Sequence, residues 1–477
     1  MKYLKDSKVF TIFLSVIFLF SIQTNIHALS IEDEKKAGQE FLQSVKQHLV
    51  LIDDPFAKKF IDDFGQYLLK SVETKHFDFR FFIVKEDVLN AFAGPGGVIF
   101  LYAGLIEAME EVDELASVVC HEIAHVSSRH ISNRADQFWK LGLATMAGIL
   151  AGALVGGDAA EAIMVGSLAA GQQKQLSYSR EDERQADQVG FKYIVRSGFN
   201  PAAVKSSLMK IQEGRWGINE IPAYLLTHPI GPERISNIET MLSSPIMVPA
   251  KRETLRFRKT YPLFRTVIMA KYIQKYDMVQ YYNSRLLKTP DSPLSHFGLG
   301  LALIKKGNYS ESITHLEKAI EGLDEPLPAL RYLSEAYLGN GEAAKAIAIL
   351  EKALEKDRND KVTLLTIAKS YLDSGAYNKA TEIYERLIYM EPVDDEAFYN
   401  LGFSYGKQGK VGLAHYNFGL FHKKSHNPRE AFFHFNEAKK AASNDPVLLK
   451  KIEASIAELE KEDKGKWKDK FPEEDEF

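Results

Sequence analysis

His121-Glu122-Ile123-Ala124-His125 sets two imidazoles four residues apart. On an α-helix that spacing puts both rings on one face, one turn apart, where they can grip a single divalent cation. Glu122, beside the first ring, can then hold a water at the metal and take its proton. This is the chemistry of a metal-dependent hydrolase. The preceding stretch, Glu111 to Val119, is acidic at its start and turns apolar toward the motif, as a buried helix would. The plainer reading of the motif is two satisfied core histidines on an ordinary helix.

A third protein ligand is needed, and the sequence restricts its source. The metzincin pattern requires Gly at 128 and His at 131, and Ser128 and Ile131 exclude it. Ser179 to Asp187 (SREDERQAD) offers a glutamate on a second helix, followed by apolar Val189, Phe191 and Ile194. Glu183 and Asp187 are four apart and share a helical face. Glu183 is assigned to the metal, and Asp187 to orienting a ligand imidazole by accepting its other N–H. A solvated acidic turn is the alternative for this stretch. Nitrogen and oxygen ligation of this kind suits Zn²⁺, one ion per chain.

The pairing of HEIAH with Glu183-x-x-Ala186-Asp187 resembles the gluzincin metallopeptidases related to the HtpX heat-shock protease and the CAAX prenyl endopeptidase. Two further segments carry the resemblance. Asn90 to Phe100 (NAFAGPGGVIF) is similar to the strand segment that precedes the metal helix in that family. Leu226-Thr227-His228-Pro229, with Glu233-Arg234-Ile235 after it, is similar to the T-H-P…R-I segment of its soluble periplasmic branch. The motifs follow in order over residues 90 to 235. Gly94 departs from the pattern, since relatives commonly carry a larger apolar residue there, and this leaves the shape of that loop open.

The resemblance implies peptide hydrolysis with Glu122 as general base. Zn²⁺ on His121, His125 and Glu183 would keep one open position and lower the pKa of its water to roughly 7. Glu122 would take that proton and return it to the leaving amine. In relatives of this branch the histidine matching His228 can sit near the metal and block the water's position. A hydrogen bond to the tetrahedral oxyanion and a turn cap before Pro229 are the other two readings of His228. Arg234 is a candidate for the same oxyanion or for a carboxylate clamp.

The elements that must position these groups follow from local pattern. Gly94-Pro95-Gly96-Gly97 is a sharp turn, and Val98 to Tyr102 is a β-branched and aromatic run, so a short strand follows the turn. Gly97, Val98, Ile99 and Phe100 are expected to bind an extended peptide through an edge-strand backbone, with a plain core strand as the alternative. The sole cysteine, Cys120, precedes His121 and points about 100° away from it round the helix, which suits packing better than ligation. Leu141 to Gly156 is uncharged and rich in Ala and Gly. Its 16 residues fall short of a bilayer span of roughly 20, so a buried hairpin or a lid over the cleft is expected, with shallow membrane contact as the alternative.

Lys2, Lys5 and Lys8, the apolar run Val9 to Ile22 and Ala28 describe a secretory signal cleaved after residue 28, hence a periplasmic protein. No cysteine near that point suggests a lipid anchor. Removing 1–28 takes away Lys2, Lys5, Lys8 and Asp6, a net +2, so the formal charge passes from −4 to −6. A mild negative charge argues against a nucleic-acid surface.

The second half repeats. Gly307, Gly341, Gly375 and Gly409 recur at one constant interval, and Leu303, Tyr337, Tyr371 and Tyr405 stand four before each glycine. Ser312, Ala346, Ala380 and Ala414 fall five after it. The interval is that of a tetratricopeptide repeat, about 34 residues. Small residues where helices cross, with an aromatic one turn before the inter-helix turn, describe such an array, whose stacked pairs bind partners. The expected fold is an α-rich α+β gluzincin domain with a small sheet, then an all-α superhelix. The expected division is a signal over 1–28, the metallopeptidase over 29–250, a linker with a degenerate repeat over 251–290, repeats over 291–460 and a charged tail over 461–477.

This order resembles the periplasmic β-barrel assembly-enhancing proteases. That implies cleavage of unfolded or stalled outer-membrane proteins, with the repeats recruiting clients or the assembly machinery. A second reading is a repeat-based chaperone or adaptor whose metal site is held shut by His228 and the lid. A third, an integral-membrane prenyl protease, lacks the necessary spans.

Overall fold

The computed structural model describes residues 30–132, 177–213, 223–244, 246, 248, 251–391, 393 and 395–462. The signal segment 1–28, the stretch 141–156 and the tail from 463 onward lie outside the described residues. The chain divides into two compact units, Met1–Ile52 with Ile61–Leu255, and Asp53–Phe60 with Arg256–Phe477. A short N-terminal piece, Asp53–Phe60, groups with the repeats.

The first unit opens with helix α1 (Ile31–His48) and holds most of helix α2 (Pro55–Leu68). Strands β1 (Arg80–Val84), β2 (Ala91–Gly94) and β3 (Val98–Tyr102) form one sheet in the order β1-β3-β2. β3 runs parallel to β1, pairing Arg80 with Val98 through Val84 with Tyr102, and antiparallel to β2. One face of this sheet packs on α1, where Phe41 meets Phe92 and Phe100 edge-on at 6.2 and 6.3 Å.

The sheet order corrects the expected substrate strand. Val98, Ile99 and Phe100 lie on the central strand, bonded on both sides and fully buried, and Gly97 is a buried turn residue at φ +83°. Val98, Ile99 and Phe100 pair with β1 on one side and β2 on the other, so this stretch of β3 has no open edge for a peptide. The five-residue apolar run without alternation is what a strand covered on both faces carries. Among the described residues β2 is an edge strand.

Helices α3 (Ala103–Ala108) and α4 (Val112–Ser127) follow, then α5 (Arg180–Ser197), α6 (Ala203–Glu213), α7 (Ala223–Thr227) and α8 (Pro232–Leu242). α4 is buried from Val112 to Val126, and a reciprocal capping box between Glu111 and Glu114 starts it. Ser179 and Asp182 form the same device at the start of α5, and Gly198 at φ +85° ends it.

The second unit is all helix. Helices α9 (Arg252–Val267) and α10 (Met278–Lys288) occupy the region expected as linker and degenerate repeat. Asp53–Phe60 is fastened within this unit: Phe60 stacks on Phe264 at 4.2 Å, and Asp54 accepts the Tyr332 hydroxyl at 2.7 Å. Five helix pairs follow: α11 (Pro293–Lys305) with α12 (Tyr309–Gly322), α13 (Leu327–Gly339) with α14 (Ala343–Lys356), α15 (Lys361–Asp373) with α16 (Tyr377–Leu387), α17 (Asp395–Lys407) with α18 (Val411–Lys424), and α19 (Pro428–Ala441) with α20 (Pro446–Glu462).

The period of the array has a physical basis in these pairs. Gly307, Gly341, Gly375 and Gly409 all take φ between +75° and +80°, a left-handed turn that costs a side chain about 1–2 kcal/mol. Ser312, Ala346, Ala380 and Ala414 are buried where helices cross. The Tyr337 and Tyr371 hydroxyls each donate to a glutamate 20 residues earlier, Glu317 at 2.7 Å and Glu351 at 3.0 Å, and Tyr405 bonds Glu385 in the same way. His426, at φ +55°, repeats the left-handed turn only half a period after Gly409. The array thus takes a half-period step after Gly409, so positions beyond it no longer fall at the full interval. No helix among the described residues is long and apolar enough to cross a membrane.

Candidate metal centre

The site begins with the contact between α4 and α5. A side chain at Gly190 would place its first carbon 3.2 Å from the Cys120 carbonyl oxygen and from the His121 backbone. Glycine there lets the two helices approach closely enough for the carboxylates of α5 to reach the imidazoles of α4. Cys120 itself is free and buried, with its thiol pushed up by desolvation, and it plays no part in the site.

On α4, His121 and His125 bring their Nε2 atoms to 3.0 Å. On α5, Glu183 directs Oε2 to within 3.4 Å of His121 Nε2 and Oε1 to within 3.4 Å of His125 Nε2. Asp187 Oδ1 lies 3.1 Å from His121 Nδ1, on the far side of that ring from Glu183. His228, just after α7, sets Nδ1 2.9 Å from Glu183 Oε1 and Nε2 3.5 Å from Glu122 Oε1. One ligand atom from each of His121, His125, Glu183 and His228 lies within 4.8 Å of the other three, and all four residues are buried.

The donor set fits a divalent ion of the zinc type: three imidazole nitrogens and one carboxylate. A second observation supports the fit. Both carboxylate oxygens of Glu122 and Nε2 of His228 are buried without a hydrogen-bond partner among the described residues. An isolated carboxylate in such surroundings is costly, and a cation with its water is the group that would complete these valences.

Charge is distributed to hold ligands in place. Burial alone would raise Glu183, but the charges of Arg234 and His228 and bonds from His121 and His125 hold it well below the carboxylate range. Asp187 is lowered in the same way by Arg234 and His121 against its burial. Desolvation and Arg234 work against charge on His121, yet hydrogen bonds to Asp187 and Glu183 prevail and push it up to about 9. Burial, with His121 and His228 close by, keeps His125 well below the imidazole range.

Arg234, on α8, points into the ligand group, with Nη2 3.2 Å from His121 Nε2. Its Nε and Nη2 make a fork on Asp187 at 2.7 and 2.9 Å, and Nη1 sits 2.5 Å from Glu183 Oε2 in a geometry that is an ion pair and not an aligned hydrogen bond. It grips the chain's own carboxylates, Asp187 and Glu183. His228 is locked from behind by Tyr224, stacked at 4.4 Å and 16°. Tyr178 covers His125 at 3.8 Å and donates its backbone N–H to the Thr227 carbonyl. Tyr178, Tyr224, His130 and Gln185 join the site without being expected from the sequence. His130, five residues past His125 in a chain with only 13 histidines, is the one whose type and spacing carry a signal.

Residues 57–242 match Peptidase family M48, and residues 303–362 and 337–401 match Tetratricopeptide repeat. The chain thus carries a peptidase M48 domain followed by tetratricopeptide repeats. Over 212 residues it is 32% identical to the beta-barrel assembly-enhancing protease of Yersinia pestis and 31% identical to that of Escherichia coli K12. Each match covers 44% of this chain and 44% of the relative. The mitochondrial metalloendopeptidase OMA1 of Schizosaccharomyces pombe is 26% identical over 186 residues, 39% of this chain and 52% of that protein. The matches to the two assembly-enhancing proteases therefore span less than half of those proteins' length.

Proposed function

We propose that this chain, with its M48 domain, is a zinc-dependent endopeptidase of the periplasm that cleaves misfolded or stalled outer-membrane proteins. The observation that carries the reading is the convergence of His121, His125 and Glu183 beside a buried Glu122 whose carboxylate accepts no hydrogen bond among the described residues. His121, His125 and Glu183 would hold zinc, which would supply Lewis acidity toward a water and a scissile carbonyl. The protein supplies the rest. Glu122 accepts the proton of the attacking water and passes it to the leaving amine. Asp187 and Arg234 keep His121 and Glu183 in register. The edge strand β2, in place of β3, offers backbone groups to an extended substrate. The repeat array recruits clients or an assembly partner, in keeping with the name of the Yersinia and Escherichia relatives.

The test is Glu122→Gln. It should retain zinc and lose casein hydrolysis by about 10²–10⁴-fold, the range of a general base. Undiminished hydrolysis by that variant would falsify the assignment.

A second reading has its own observation. His228 belongs to the ligand group and lies against Glu122, which supports a site closed at rest, as an adaptor with a latent centre would have. His228→Ala should then raise basal cleavage, while Glu122→Gln should leave outer-membrane protein assembly intact. Loss of assembly in Glu122→Gln returns the function to proteolysis.

A further inference from the structure

The two ligand histidines are held by different devices. His121 Nδ1 meets the carboxylate of Asp187. His125 Nδ1 meets another imidazole, His130 Nδ1, at 3.0 Å, and His130 Nε2 in turn meets Gln185 Oε1 at 3.0 Å. His130 is 1% exposed, and the two rings stand edge to face at 5.0 Å and 76°.

The backbone is bent to make this contact. Arg129 ends α4 at φ +57°, a left-handed conformation normally left to glycine. That turn lets the His130 N–H bond back to the His125 carbonyl at 3.1 Å and the Arg129 N–H to Val126 at 3.0 Å. The ring of His130 is folded under the ring of His125 as a result. Strain at Arg129 is tolerated where a glycine would have relaxed it.

The protons in the chain are then determined by the site. His125 turns Nε2 toward Glu183 and His121, so ligation requires that nitrogen bare and Nδ1 protonated. The Nδ1–H of His125 donates to a bare His130 Nδ1, and the Nε2–H of His130 donates to Gln185 Oε1. If His130 instead donated to His125, the proton on His125 would move to Nε2 and close that ligand.

We infer that His130 and Gln185 form a neutral relay that locks His125 in the Nε2-ligating tautomer, making them positioning residues for the metal centre. The inference rests on the reading of this site as a zinc centre. Gln185 stands two residues after Glu183 on α5, so the helix that supplies the third ligand also anchors the second.

The experiment compares full-length wild type with His130→Phe, His130→Asn and Gln185→Met. Zn²⁺ affinity is read by competition with a chromophoric chelator, and the His125 tautomer by ¹⁵N NMR of histidine-labelled protein. His130→Phe keeps the ring shape and removes both nitrogens, and should weaken Zn²⁺ binding by about 10–100-fold, the effect of losing an outer partner of a ligand. It should also mix the His125 tautomers. His130→Asn restores an acceptor and should recover affinity to within a few-fold. Gln185→Met, which leaves His130 in place, should give an intermediate loss even if His130→Phe does not fold. Equal Zn²⁺ affinity and an unmixed tautomer in His130→Phe or in Gln185→Met overturn the relay and leave the zinc reading standing. A wild type that binds no Zn²⁺ overturns both.

Discussion

The metal centre and the repeat array use similar polar contacts over very different distances along the chain. In the centre, Arg234 reaches Asp187 across 47 residues and His121 across 113, and His228 reaches Glu183 across 45. In the array, each tyrosine bonds a glutamate 20 residues back, and the same bond recurs at the next repeat. The centre exists only when α4, α5, α7 and α8 are all in place. The array is a sum of neighbouring contacts, each formed without the others. Damage to the first should therefore be collective, and damage to the second local.

The strongest test of that contrast is Arg234→Met. It leaves Asp187 and Glu183 buried beside an apolar side chain, and removing one partner of a buried pair costs about 3–5 kcal/mol. Hydrogen exchange should accelerate throughout α4, α5 and α8 together and stay unchanged in α11 to α20. Protection lost from only one of those three helices would end the claim of collective behaviour.

Asp360→Asn asks the same of the array. Asp360 caps α15 and pairs with Arg331 at 2.5 Å, both largely buried. Burial would raise its carboxyl, but the Arg331 charge and bonds from Thr363 hold it below the usual range. A carboxyl depressed on folding adds stability that is complete above its unfolded value, near 3.9, and is lost as pH falls through the lower folded value. The variant should lose about 1.5–3 kcal/mol at pH 7, confined to α13 to α16, and show a shallower decline below about pH 4. An unaltered acid limb in denaturant melts at pH 2–5 would count against the ion pair.

Gly375→Ala should cost about 1–2 kcal/mol because the left-handed turn is retained, with exchange raised in α15 and α16 first. Tyr371→Phe, the mildest, should cost about 0.5–1.5 kcal/mol by removing one hydrogen bond. If either variant speeds exchange equally in α11 and α20, the array is cooperative and the comparison fails.

The elements differ in how much of them sequence alone discloses, and the reason is range. His121, Glu122 and His125 lie within one helical turn and a bit, so their geometry follows from the helix. Glu183 and Asp187 are legible for the same reason, once a second helix is granted. The repeat is legible because its determinants return at a fixed interval. Sheet order is not local. Val98 to Tyr102 reads as a strand, but its place between β1 and β2 is set by pairings made elsewhere, and only its unbroken apolar character hints at a central position. Arg234 reads from sequence as a partner of an oxyanion or as a carboxylate clamp, and which carboxylates it grips is not local, since both belong to α5, a helix completed well before it in the chain. Nothing in Asp53–Phe60 marks it as part of the repeat unit, since its partners Phe264 and Tyr332 come from helices in the distant second half of the chain.

The burial of Cys120 has an experimental use. The chain's single sulfhydryl lies buried on α4, one residue from a ligand of the proposed ion. A thiol-reactive dye can reach it only when α4 loosens, so labelling kinetics become a stopwatch for the opening of the helix that carries two of the ligands, read at one atom without any mutation. Zinc should slow that clock, and a chelator should speed it.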